Sequence, residues 1–118
     1  YLREKLHRSI PKGTVTVVFS DVQGSTMLWC LMLEEMRQAL KVHNKCMRKH
    51  IKKYNGFEVK TIGDCFMVTF QEACDAVSWA VASQQTLLEA RWPQAILGQP
   101  NAACEAGPRG QVMFRGLR

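Results

Sequence analysis

"FEVKTIGDCFMVTF", residues 57–70, holds two runs of strand-forming side chains parted only by Gly63-Asp64. β-Branched and aromatic residues dominate residues 57–62 and 65–70, and a glycine next to an acid suits the left-handed backbone of a tight turn. The stretch predicts a β-hairpin with Asp64 at its tip.

Upstream, "TVTVVFS", residues 14–20, is β-branched and almost continuously apolar. That pattern predicts a strand buried on both faces in the middle of a sheet. Between it and the hairpin, Met36, Leu40, Met47, Ile51 and Tyr54 recur at sums of three and four, so residues 34–54 form one amphipathic helix. Asn55-Gly56 stops it, because both residues tolerate the left-handed conformation of a helix C-cap.

Downstream, Ala73, Ala76, Val77, Ala80, Val81, Gln84, Leu87 and Leu88 keep helical spacing. They predict a second helix packed closely on the sheet through small residues, ended near Pro93. Residues 93–110, "PQAILGQPNAACEAGPRG", have no steady period and read as an irregular excursion, with "QVMF", 111–114, a short strand. "YLREKLHRSIPKG", residues 1–13, is a basic lead-in or linker. Strand, helix, strand, strand and helix, then an interruption where a fourth strand belongs, make most of an α+β, ferredoxin-like βαββαβ domain.

Bulk composition agrees with one domain: 118 residues, 47% apolar and 22% charged. Beginning at Tyr1 rather than Met and stopping at Arg118 on the approach to a strand, the sequence reads as a piece of a longer protein. Five scattered cysteines with no C-x-x-C pair fit neither a zinc site nor a complete disulfide framework, and read as reduced, mostly packed thiols in the cytosol. No apolar stretch approaches the ~20 residues that cross a bilayer, and no signal peptide is evident. The net charge of +6 invites a polyanion. Most of the excess, however, lies in "KVHNKCMRKHIKK", 41–53, where basic residues alternate with apolar ones on a helix and no stacking aromatics interleave. A solvated helix face accounts for it, and nucleic acid is not an expected partner.

The first strand runs into "SDVQGST", residues 20–26, with Asp21 at its end. In a ferredoxin-like sheet that end and the hairpin tip share an edge, so Asp21 and Asp64 converge. Singly, each has an ordinary structural use, as an Asx turn or helix cap and as the acid of a hairpin turn. Together, two carboxylates on oxygen-rich turns are what Mg²⁺ or Mn²⁺ takes, with phosphate oxygens and water completing the shell. Gly24-Ser25-Thr26 adds a glycine turn entering a helix, whose unpaired N–H groups can hold phosphate; it is not a P-loop, and Ser25 or Thr26 also serves as a plain N-cap. The three elements favour a nucleoside triphosphate with metal.

"VTVVFSDVQGSTMLW", then "HN", "YNGFEVKTIGDCFMVTF" and a small-residue helix resemble the first half of a class III nucleotidyl cyclase catalytic domain, in wording closest to the receptor-type adenylate cyclases of trypanosomatid parasites. The resemblance covers residues 13–90 closely. "RWPQAIL" and "GPRGQVMFRGLR" resemble the extra subdomain those enzymes insert before the next core strand. The implied division is a lead-in at 1–13, the first half of a cyclase domain at 14–90 and an insertion at 91–118.

The resemblance implies site residues and partners. The aspartates matching Asp21 and Asp64 hold two Mg²⁺ or Mn²⁺ ions for attack of the ribose 3′-hydroxyl of ATP on its α-phosphate, giving cyclic AMP and pyrophosphate. The backbone at Val22 and the turn Gln23, Gly24, Ser25 and Thr26 match the metal and triphosphate loop. Lys60 matches the lysine that accompanies adenine selection, where guanylyl cyclases usually carry glutamate; a lysine donor meets the N1 acceptor of adenine, whereas guanine offers N–H donors. Sites in the family lie across an antiparallel dimer, so Lys60 serves the partner's site. A further aspartate, an asparagine and an arginine belong to the second half, so the chain alone is expected to be inactive. Membrane attachment follows only through a single-pass parent, in the plasma or flagellar membrane, with this domain on the cytosolic side.

Two other functions compete. A silent cyclase-like regulatory domain would have no need of both aspartates, and a diguanylate cyclase would show G-G-[DE]-E-F where this hairpin reads "IGDCF". His43 is expected to be a hydrogen-bonded core histidine, and Cys65 a buried strand thiol.

Overall fold

The structure, a computed structural model, describes residues 10–118, so residues 1–9 of the lead-in lie outside the described residues. Strand β1 (Thr16–Ser20) leads into helices α1 (Ser25–Leu31) and α2 (Leu33–Lys53). Strands β2 (Phe57–Ile62) and β3 (Cys65–Phe70) form the expected hairpin, followed by α3 (Ala73–Glu89). A short helix α4 (Gln94–Leu97) and a small ribbon of β4 (Glu105–Ala106) and β5 (Val112–Phe114) complete the chain. β1, α2, β2, β3 and α3 are the first five elements of the βαββαβ order.

Local chemistry sets the boundaries. α2 stops where Asn55 takes φ 58°, the left-handed conformation that asparagine tolerates, and the Gly56 N–H closes back on the Ile51 carbonyl at 2.8 Å. The hairpin turns at Gly63, φ 60°, with Ile62 and Cys65 paired on either side. Gln71 ties the end of the lead-in to the end of β3, accepting from the Lys12 N–H at 3.0 Å and donating to the Lys12 carbonyl at 2.9 Å.

The sheet order is β1-β3-β2, antiparallel throughout, so the middle strand is β3 and β1 lies outside it. This corrects the expectation of a doubly buried first strand. Phe66, Val68 and Phe70 of β3 are buried under α2 and α3 with Met47, Ile51, Ala76 and Trp79. On the opposite face Val17, Phe19 and Ile62 are exposed, Phe19 by 72%. An apolar run on both faces of a strand records two surfaces to be covered, and α2 and α3 cover only one of them.

Helix α3 is turned from its expected orientation. Ala76 and Leu87 are buried as foreseen, but Trp79 and Ser83 complete the inner face while Val77, Ala80, Val81 and Gln84 face outward. The Trp79 indole explains the rotation: it fills the space against Phe70 at a centroid distance of 5.7 Å and donates to the Met47 carbonyl at 3.2 Å. A second core gathers Val22, Leu28, Met36, Ala39 and Leu87 with Trp92, Ile96, Ala102 and Leu117. Residues 91–118 thus share one core with α1, α2 and the end of α3.

On the covered face Glu58 is buried and answered by Arg48 of α2, whose Nε and Nη2 donate to it at 3.0 and 3.4 Å; Thr61 Oγ1 donates at 2.6 Å. The pair fixes α2 across β2. His43 is a buried histidine, as expected, hydrogen-bonded to Asn44 at 2.9 Å and set against the Phe66 ring.

Candidate functional site

Register alone brings two distant acids together. Ser20, the last residue of β1, pairs with Phe66, and the Phe66 N–H donates to Ser20 Oγ at 3.3 Å. Asp21 therefore emerges beside the hairpin tip that carries Asp64 and Cys65. Asp21 is exposed and Asp64 buried, 7% accessible. Ligand atoms of Asp21, Asp64 and Cys65 all lie within 4.8 Å of one another.

Cys65 is exposed, contrary to its expected burial, as are Cys30, Cys74 and Cys104. Cys30 and Cys74 lie on outward helix positions, Cys65 at the hairpin tip and Cys104 in the segment before β4, and only Cys46 is partly packed. The Cys65 thiol donates to Asp21 Oδ1 at 2.9 Å and lies 3.6 Å from Asp64 Oδ1. Each group is tuned by the other: the thiol hydrogen bond holds the Asp21 carboxyl below the usual range. The same bond to Asp21 and the adjacent negative charge push the Cys65 thiol up to about 11. Sequence reasoning treated Cys65 as packing; its signal was adjacency to Asp64 at the mouth of a strand.

The loop after Asp21 is built tightly. Val22 is buried, its side chain in the second core. The Gln23 N–H donates to the Arg118 carbonyl at 2.7 Å and the Ser25 N–H to the Val22 carbonyl at 3.3 Å. Gly24 has φ 66° and its α-carbon faces the Asn101 side chain so closely that a methyl group would overlap it. No side chain caps α1, so Ser25 and Thr26 keep their hydroxyls from that duty. Asp21 and Gln23 also line an open cavity of about 720 Å³, walled by Ala80, Val81 and Leu88 of α3 and Met113 and Phe114 of β5.

Lys60 is not gathered with these groups. It stands exposed on β2, beyond a bulge that follows Glu58, and pairs with Met67, which pairs in turn with Phe19. Cross-strand partners share a face, so Lys60 belongs to the open side of the sheet.

The donor set, two carboxylates meeting at a strand end and a hairpin turn, fits a hard divalent cation. Among the described residues no helix is long and apolar enough to cross a membrane.

Comparison with known proteins places this geometry in context. Residues 8–96 match the adenylate and guanylate cyclase catalytic domain family. An adenylate cyclase of Lachancea kluyveri is 41% identical over 107 residues, 91% of this chain, and receptor-type adenylate cyclase B of Leishmania donovani is 42% identical over 78 residues, 66% of this chain. The chain spans 6% of the length of each. A solved structure of adenylate cyclases from Trypanosoma brucei in their monomeric state superposes with a TM-score of 0.71 at 34% identity, covering 75% of this chain and 39% of that one.

Proposed function

The chain belongs to the adenylate and guanylate cyclase catalytic domain family, and on that premise we propose that it is the N-terminal part of an adenylate cyclase domain that makes 3′,5′-cyclic AMP and pyrophosphate from ATP in cyclic AMP signalling. The observation that carries this reading is the convergence of Asp21 and Asp64 from separate strands at one accessible edge.

Asp21 and Asp64 hold the metal, with the Val22 backbone beside them. Bound there, two Mg²⁺ or Mn²⁺ ions per site supply an acidified ribose 3′-hydroxyl and neutralise phosphate charge. Gln23, Gly24, Ser25 and Thr26 receive the triphosphate. The Gln23 N–H is already given to Arg118, so Gln23 contributes through its side chain.

Lys60 meets adenine in the partner's site. Support comes from its place on the open sheet face, next to the exposed Phe19, Val17 and Ile62, which a second subunit in a homodimer would cover. The chain alone does not turn ATP over, in keeping with its covering 39% of the solved cyclase chain. Its parent is a single-pass membrane protein of the plasma or flagellar membrane with this domain in the cytosol, a reading supported by the likeness to a receptor-type cyclase.

The test is cyclic AMP formation from Mn²⁺–ATP, read by mass spectrometry, on the chain extended through a complete catalytic domain. Asp64→Asn is expected to lower the rate by on the order of a thousandfold or more, the scale of losing a principal electrostatic group. Lys60→Glu is expected to shift use from ATP toward GTP. Absence of product from the folded, dimeric, extended protein would sink the enzyme reading.

A further inference from the structure

We propose that Cys65 makes the Asp21/Asp64 pair a three-donor site of two oxygens and one sulfur, which captures a thiophilic divalent cation, Zn²⁺ or Cd²⁺. The inference deepens the metal-binding reading of the two carboxylates and shares with it only the location.

The geometry is close to what such an ion requires. A tetrahedral centre with a metal–sulfur bond of roughly 2.3 Å and a metal–oxygen bond of roughly 2.0 Å sets sulfur and oxygen about 3.5 Å apart. Here Cys65 Sγ stands 2.9 Å from Asp21 Oδ1 and 3.6 Å from Asp64 Oδ1. Values on either side of the target call for small side-chain rotations and no backbone movement. The site is open to entry, because Asp21 and Cys65 are exposed. Among the described residues no other three His, Cys, Asp or Glu groups come together in this way.

Chemistry then sorts the cations. Mg²⁺ takes oxygen donors and keeps its waters, so the thiol remains a bystander that hydrogen-bonds Asp21. Zn²⁺ and Cd²⁺ favour thiolate, and a mixed set of sulfur and carboxylate suits them. On capture the Cys65 S–H bond breaks, its proton leaves to solvent, and an S–metal bond forms; nothing is oxidised or reduced. The captured ion holds both carboxylates, so it competes directly with Mg²⁺ or Mn²⁺ for them.

The experiment is a Cd²⁺ titration of the full chain with Cys30, Cys46, Cys74 and Cys104 changed to serine, so that Cys65 is the remaining thiol. Thiolate-to-cadmium charge-transfer absorbance and cadmium NMR are the readouts. One Cd²⁺ per chain is expected, displaced by Zn²⁺, with the absorbance abolished by Cys65→Ala. Asp21→Asn and Asp64→Asn are each expected to weaken binding by on the order of tenfold or more, at least what loss of a supporting group costs a metal site. Should the serine background fail to fold by circular dichroism, the difference between the native chain and its Cys65→Ala variant carries the same information. Absence of the absorbance, or an affinity unmoved by both asparagine variants, overturns the proposal, the latter by revealing a solitary thiol. Sulfur-bound Cd²⁺ without cyclic AMP from the extended domain would sink the catalytic reading and leave this one standing; cyclic AMP without sulfur-bound Cd²⁺ would do the reverse.

Discussion

The two faces of the three-stranded sheet carry similar side chains and meet opposite surroundings. On one, Phe66, Val68 and Phe70 are completely buried beneath two helices; on the other, Val17, Phe19 and Ile62 stand in solvent. Charge follows the same division, with Glu58 buried and answered by Arg48 on the covered face and Lys60 exposed on the open one. The apolar content of a strand therefore measures how much surface needs cover and leaves open what supplies it. At roughly 25 cal/mol per Å² of apolar area removed from water, the open face has the most to gain from a partner.

Mutations sharpen this contrast, the largest first. Phe66→Ala is expected to cost about 3–5 kcal/mol in urea unfolding, because the buried ring leaves a cavity. Phe19→Ala on the open face should cost about 0.5 kcal/mol or less, and should weaken self-association instead. Equal losses at the two positions would break the comparison. Arg48→Met removes the bidentate donor of a buried carboxylate and is expected to cost about 2 kcal/mol, less than a fully buried pair because the guanidinium is partly exposed. Lys60→Met should stay within about 0.5 kcal/mol.

The smallest effect is a pH dependence. Burial, partly offset by Asn44 and by the charge of Asp64, holds the His43 imidazole below its ordinary 6.5. Its stabilisation is complete above that value and is lost as pH falls toward the lower folded one, because the unfolded chain takes up the proton first. Melting temperature should fall on acidification below about 6.5, and less so in His43→Gln. His50, also lowered chiefly by burial, adds in the same sense.

Much of this was legible in the sequence where one local rule governs the backbone. Gly63-Asp64 and Asn55-Gly56 announced the turn and the helix end because few other residues accept those conformations. Period alone located α2, with Met36, Met47 and Ile51 on its buried side. Tertiary competition hid the rest. A stripe of Val77, Ala80 and Gln84 has the same spacing as one through Ala76, Trp79 and Ser83, and the bulk of Trp79 decided which turned inward. At the site, Asp21 and Asp64 were readable from topology, since strand ends and hairpin tips share an edge. The exposure of Cys65 was not, because alternation along a strand assigns sides without saying which is roofed.

The two cores each own a buried indole, Trp79 in one and Trp92 in the other, and each indole donates to a helix carbonyl, that of Met47 or of Leu87. The molecule therefore carries its own optical gauge of cooperativity. In a Trp29→Phe background, which removes the half-buried third indole packed on the second core, Trp79→Phe leaves emission that reports the core shared with residues 91–118, and Trp92→Phe leaves emission that reports the sheet. Coincident melting in the two variants would mean that the cores fold as one unit, whereas an earlier transition in the Trp79→Phe variant would mean that residues 91–118 come loose first.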